Sequence, residues 1–167
     1  MKAIATICIV FCFIGLVYSE VGPRHVEKEG GFSFCAPKGW EFKEYPGMKF
    51  KIAFGISKDN FCPNINVVDE AYAGSLSTYI DMNIATMKKI FQQFKKIKRV
   101  KFKTSSKLNG EFLVINSLQQ GNHLRQSFLF IQGNKGKNLV ITCSCLEKDG
   151  DRFSKLFEES LKTVELM

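Results

Sequence analysis

Histidine is the scarcest catalytic residue type in this chain of 167 residues: there are two, His25 and His123. Nucleophilic catalysis needs a base within hydrogen-bond reach of a serine or cysteine. His25 falls in a polar N-terminal stretch and His123 beside a turn, so neither is positioned by the sequence for that task. A Gly-x-Ser-x-Gly elbow and a phosphate-binding glycine loop are both missing, which removes the usual signatures of hydrolases and nucleotide enzymes. The chain also lacks Asn-x-Ser/Thr sequons, repeats and low-complexity tracts, leaving nothing to mark a second domain. Acidic residues are absent between Asp81 and Glu111. These absences point to a protein that is not an enzyme.

What is present begins with export. Met1-Lys2 precedes an apolar run from Ala3 to Tyr18, and Val17 and Ser19 are small residues at the −3 and −1 positions before Glu20. This is the pattern of a secretory signal peptide over residues 1–19, cut after Ser19, and it implies a secreted or periplasmic protein. Residues 20–31 are polar, with Pro23 and a Gly30-Gly31 pair, and read as a flexible lead-in. Residues 32–167 read as one domain, long enough for a single core. Of six cysteines, Cys8 and Cys12 would leave with the signal peptide, and Cys35, Cys62, Cys143 and Cys145 would remain.

The organising segment runs from Ser75 to Lys103. Leu76, Tyr79, Ile80, Ile84, Met87, Ile90, Phe91 and Phe94 recur at helical spacing, which predicts an amphipathic helix of about five turns with Ser75 as N-cap. Past Phe94, Val100 and Phe102 alternate with Arg99, Lys101 and Lys103, as in a half-buried strand. The wet side of this unit is basic: Lys88, Lys89, Lys95, Lys96, Lys98, Arg99, Lys101, Lys103 and Lys107.

Other segments alternate or run apolar in short bursts. Phe32 to Ala36, Phe50 to Ile56 and Asn64 to Asp69 read as strands, with Trp40 packing at the end of the sheet. Asn109-Gly110 and Gln120-Gly121-Asn122 read as hairpin turns, introducing strands at Glu111 to Gln119 and His123 to Gln132. Leu139 to Cys145 follows. Phe128 to Ile131 and Leu139 to Ile141 are apolar on both faces, as in strands covered on both sides. From Asp151, Phe153, Leu156, Phe157, Leu161 and Val164 mark a second helix. The expected architecture is α+β: an α/β/α sandwich with a mainly antiparallel sheet flanked by helices.

In a strand Cys143 and Cys145 point the same way, onto the face of Leu139 and Ile141, and read as buried thiols or, alternatively, as a soft-metal pair. Cys35 and Cys62 both sit off the apolar faces of their strands and form the preferred disulfide pairing. The net charge of +8 draws a protein toward anionic partners. Lys88, Lys95, Arg99, Lys101 and Lys103 form the candidate patch, with Lys88 and Lys95, seven apart, on one helix stripe. Its aromatics are at core spacing rather than interleaved for base stacking, so nucleic acid is not the expected partner.

The motif Phe32-Ser33-Phe34-Cys35-Ala36-Pro37-Lys38-Gly39-Trp40 resembles the opening of the PsbP-like superfamily. Pro63 to Val68, Leu76 to Ile80 and Leu108-Asn109-Gly110 resemble its next strand, helix start and turn. Leu139 to Cys145 and Phe157 to Leu166 resemble its closing strand, helix and last short strand. The similarity spans essentially all of residues 32–167 and is nearest the bacterial envelope, DcrB-like branch, although Cys35, Cys143 and Cys145 depart from the pattern. The resemblance implies a binding or accessory protein of the cell envelope, without catalysis or cofactor. It would dock a protein or anionic partner, with peripheral membrane contact allowed, as a monomer or weak dimer. The alternative is a small-molecule or soft-metal carrier with a sheet–helix pocket near Cys143 and Cys145.

Overall fold

Two strands that are apolar on both faces cannot stand in water, and the chain wraps them on both sides. A computed structural model describes residues 20–167, the side chain of Lys135 excepted; the expected signal peptide lies outside the described residues. In chain order come β1 (Val21–Glu27), β2 (Phe32–Pro37), β3 (Glu41–Lys43), β4 (Ile52–Phe54), β5 (Asn64–Ala71) and α1 (Leu76–Ile90). They are followed by β6 (Gln92–Lys103), β7 (Asn109–Gln119), β8 (Asn122–Gln132), β9 (Lys137–Leu146), α2 (Gly150–Lys162) and β10 (Glu165–Leu166). Seven strands form one sheet in the order β3-β4-β5-β9-β8-β7-β6, and β1-β2-β10 form a second. Every pairing is antiparallel.

Alternation divides the large sheet between two cores. Leu113, Ile115, Phe128, Phe130 and Val140 face α1, which buries Tyr79, Ile80, Ile84 and Met87 against them. Phe112, Leu129, Ile131, Leu139, Ile141, Cys143 and Cys145 face the other way, onto Phe32, Phe34 and Ala36 of β2 and Phe157 and Leu161 of α2. The molecule is thus the expected α+β sandwich, with one refinement: α2 shares its side of the sheet with a small second sheet. Ser75 caps α1 as expected, its Oγ accepting from the Thr78 N–H at 3.1 Å.

Four expectations need correction. Residues 21–27 are not a flexible lead-in but strand β1, paired with β2. Arg24 pins it by donating to Ser33 Oγ and the Thr163 carbonyl, each at 3.0 Å, while His25 stacks on Phe42 at 4.0 Å. It reads as polar because an edge strand shows half its residues to water. Secondly, α1 stops at Ile90; Phe91 is already extended, and Gln92 pairs with Leu118 of β7. Phe91 and Phe94 still pack on the α1 core, so their helical spacing records a shared burial rather than a continued helix. Thirdly, the Phe50–Ile56 strand shrinks to Ile52–Phe54, and Ile56 is 88% exposed.

Lastly, Asn109 and Gly110 do not form the hairpin turn; they lie inside β7, opposite Lys103 and Phe102. The turn is made by residues 104–108, where the Leu108 N–H donates to Thr104 Oγ1 at 3.1 Å and the Thr104 N–H to the Leu108 carbonyl at 3.0 Å. Glycine is required at 110 for another reason. A Cβ there would strike the Phe130 carbonyl oxygen of the neighbouring strand. The turn expected at Gln120-Gly121-Asn122 narrows to Gln120-Gly121, both with positive φ, since Asn122 already pairs with Gln119.

Burial on α1 sets the cost of truncation. Ile80 is fully buried and Ile90 is 63% exposed. Ile80→Ala should therefore lose about 2–5 kcal/mol of unfolding free energy in urea, while Ile90→Ala stays within about 0.5 kcal/mol.

Candidate functional site

β6 ends the seven-stranded sheet, so among the described residues one side of its backbone has no neighbouring strand. Directly paired residues of antiparallel strands point to the same side. Arg99, Lys101 and Lys103 pair with Leu113, Glu111 and Asn109, which places all three on the α1 face, as the alternation predicts. Lys95 and Lys98 pair with Asn116 and Val114 and point to the opposite face, where the Lys98 ammonium lies 5.3 Å from the Phe112 ring centre. Register shifts between Gln92 and Lys95 and between Lys96 and Lys98, with Gln93 at φ 50°, twist the edge and spread these charges round it. Lys88 sits in the last turn of α1, where a cation suits the helix dipole. Lys95 belongs to the strand, so the expected helix stripe shared by Lys88 and Lys95 does not exist.

Arg99 is not a free member of the patch. Its Nε donates to Glu111 at 2.7 Å, its Nη1 to Asp81 at 2.5 Å and its Nη2 to Ser77 at 3.1 Å. Glu111 and Asp81 are the two acidic residues that bound the basic stretch, and both are committed to this one guanidinium. The hydrogen bond donated to Glu111, with that donated to Asp81, holds the Arg99 pKa above its ordinary value against the opposing effect of burial. Arg99 therefore ties α1 to β6 and β7. The remaining eight lysines of the unit, Lys88, Lys89, Lys95, Lys96, Lys98, Lys101, Lys103 and Lys107, form no ion pair among the described residues.

The four cysteines among the described residues are free. The preferred Cys35–Cys62 bridge is not formed. Cys35 lies in β2 of the small sheet, whereas Cys62 precedes β5 of the large one and donates its thiol to the Gly55 carbonyl at 3.0 Å. Cys143 and Cys145 do share the face of Leu139 and Ile141. Burial drives the Cys143 thiol well above its ordinary pKa, and drives Cys145 up to about 12. Burial thus disfavours the reactive thiolate form at both. Among the described residues no group of three or more His, Cys, Asp or Glu is placed to hold a metal.

The remaining candidates disperse. His123 is exposed, 3.9 Å from Glu147. Glu147 also accepts from Asn116, Asp151 binds Arg125 at 2.7 Å, and Glu158 and Glu159 pair with Lys162 and Lys155 along α2. None of these carboxylates faces another as an acid–base pair.

One concavity was not legible in the sequence. A cleft of about 340 Å³ opens between the turn at Trp40, the loop joining β4 to β5, and the start of α2, with Cys145 among its lining residues. The lone tryptophan was its sequence trace.

No protein-family model matches the chain, and no curated protein matches its sequence. Solved structures do resemble it. The cyanobacterial PsbP of Synechocystis sp. PCC 6803 superposes with TM-score 0.62 at 15% identity, over 92% of this chain and 96% of that one. LpqN of Mycobacterium tuberculosis, described as involved in cell envelope biogenesis, gives TM-score 0.63 at 10% identity, over 81% and 83%. A Ran-binding protein of Saccharomyces cerevisiae gives 0.61 at 9% identity, over 86% and 94%. The fold is PsbP-like. At these identities the likeness is one of architecture, and it does not single out the DcrB-like branch.

Two measurements check the site. Arg99→Met strands Glu111 and Asp81 and should cost about 1–3 kcal/mol in urea unfolding, against less than about 0.5 kcal/mol for Lys101→Met. Iodoacetamide followed by peptide mapping should leave Cys143 and Cys145 unmodified in the folded protein at neutral pH, and modify both in denaturant.

Proposed function

We propose that this chain is a non-catalytic binding protein of the cell exterior or envelope, which docks an anionic partner along the open edge of β6. The observation that carries this reading is the set of eight lysines without ionic partners among the described residues, gathered on one edge strand, the turn that follows it and the adjoining end of α1. Several basic side chains elsewhere do find acids: Lys49 and Lys137 both bind Asp69, Lys148 binds Asp59 and Arg125 binds Asp151. A cluster of uncompensated charge raises the local potential and speeds encounter with a partner of opposite sign, an effect that falls with salt. The same lysines discourage a second copy from adding its own β6 to the edge, in keeping with a monomer or weak dimer. Ile97 and Val100 are 45% and 41% exposed among these lysines and offer a partner apolar contact beside the charge.

The PsbP-like fold supports an accessory role in general, since one structural neighbour is described by its binding to Ran and another by its part in envelope biogenesis. The N-terminal apolar run supports the extracytoplasmic location. A second reading, a small-molecule carrier, is supported by the cleft at Trp40 and Cys145; its soft-metal form has no third ligand among the described residues.

The test is charge reversal that spares Arg99. Replacing Lys88, Lys95, Lys101 and Lys103 together with Glu should leave the melting temperature nearly unchanged and abolish capture of partners from native envelope extract. Capture by the unaltered protein should weaken as salt rises. Equal recovery with the unaltered and charge-reversed proteins would reduce the lysine edge to a solubility device.

A further inference from the structure

The cleft at Trp40 has a chemistry of its own, distinct from the lysine edge. Its back wall is apolar: Trp40 packs edge-on against Phe153 at 6.2 Å and Phe157 at 6.1 Å, and Phe61, Pro63 and Leu156 complete the lining. The indole is held in place from behind, since a Cβ at Gly55 would run into it. In front stands a small hairpin: Lys58 and Phe61 exchange backbone hydrogen bonds of 2.9 and 3.0 Å, and Asp59 and Asn60 at its tip both have positive φ. Asp59 accepts from Lys148 at 2.6 Å, which ties the hairpin to the turn just before α2. Ile56, 88% exposed, stands at the lip.

The rim is unevenly charged. Lys38, Lys58 and Arg152 line it against Glu20 and Asp149, and Glu20 lies 3.8 Å from Lys155 outside the cleft. Lys58 and Arg152 make no ion pair among the described residues; the Arg152 guanidinium rests 5.3 Å from the centre of the Phe153 ring. A volume of about 340 Å³ falls at the small end of the range for small-molecule pockets, about 300–1,000 Å³. Aromatic walls with two uncommitted cations at the mouth complement a ligand that is apolar along its body and anionic at one end. Burial pushes the Cys145 thiol in the lining up to about 12, which disfavours the thiolate there.

We propose that this cleft binds a single-chain amphiphilic anion, its apolar body against Trp40, Phe61, Phe153 and Leu156 and its carboxylate or phosphate at Lys58 and Arg152. The assignment rests on the carrier reading and is independent of partner docking at β6.

Trp40 is the only tryptophan of the chain, so its emission reports the cleft directly. The full chain should be titrated, below the micelle threshold of each probe, with dodecanoate, dodecyl phosphate, dodecanol and dodecyltrimethylammonium. Saturable change is expected with the carboxylate, the phosphate or both, the two arms telling one headgroup from the other. Lys58→Glu with Arg152→Glu, both at exposed positions, should keep the melting temperature and weaken anion binding by about tenfold or more. Equal saturation by dodecanol or the ammonium, or indifference to the double substitution, would overturn anion selectivity and leave a carrier. Silence from all four probes would overturn both the assignment and the carrier reading.

Discussion

The requirement that β8 and β9 be dry on both faces governs the rest of the molecule. Phe128, Leu129, Phe130 and Ile131 on one strand and Leu139, Val140 and Ile141 on the next alternate between two cores, and neither core can exist without a cover. α1 supplies one. The other needs more area than α2 offers, and β2 with its neighbours β1 and β10 makes up the difference. This explains why β2 and the last two strand residues meet: Phe32 pairs with Leu166 and Ser33 with Glu165, with β1 on the far side of β2, so both ends of the described chain contribute to one lid. Hydrophobic burial of this kind is directionless; what fixes the lids in register is polar. Arg24 reaches Ser33, Thr163 and Glu165 across the small sheet, and Arg99 reaches Asp81 and Glu111 across the other face.

That second arginine changes how the basic segment should be understood. By sequence it is one of nine like charges; in space it is a structural residue whose neutralisation uses Asp81 and Glu111. Arg suits this duty because its planar fork donates to several acceptors at once, whereas a lysine ammonium is a single point. The eight lysines are left without counter-charges because those acids are already taken. A face that is uncompensated in this way lowers its energy when an anionic surface arrives, and the twisted, bulged edge of β6 presents the charges on both sides of the strand.

Elements whose burial follows local period were legible in the residues. The stripe from Leu76 to Met87, the Ser75 cap, the doubly apolar strands and the shared face of Cys143 and Cys145 all follow from side-chain direction alone. What failed was wherever two structures bury the same side chain. Phe91 and Phe94 satisfy a helical period and reach the α1 core equally well from a strand, so hydrophobicity could not place the end of the helix; the hydrogen-bonding demand of β7 did. Asn109-Gly110 carries turn chemistry, yet the Thr104 hydroxyl makes a better turn upstream and Gly110 is needed for close approach of β8. β1 was hidden by its polarity, and the cleft by the fact that its walls come from residues more than a hundred positions apart.

The two candidate sites divide along a physical line. At β6 the charge is plentiful, exposed and spread over a long edge, an arrangement that favours rate and reach over fit. At Trp40 the charge is sparse and the apolar surface is concave, so shape and desolvation decide what enters. Interactions of the first kind are screened within a Debye length of about 8 Å at physiological salt, while apolar burial is largely indifferent to such screening. A chain carrying both can meet its partner by field and hold a small cargo by contact, with no residue required to serve both ends.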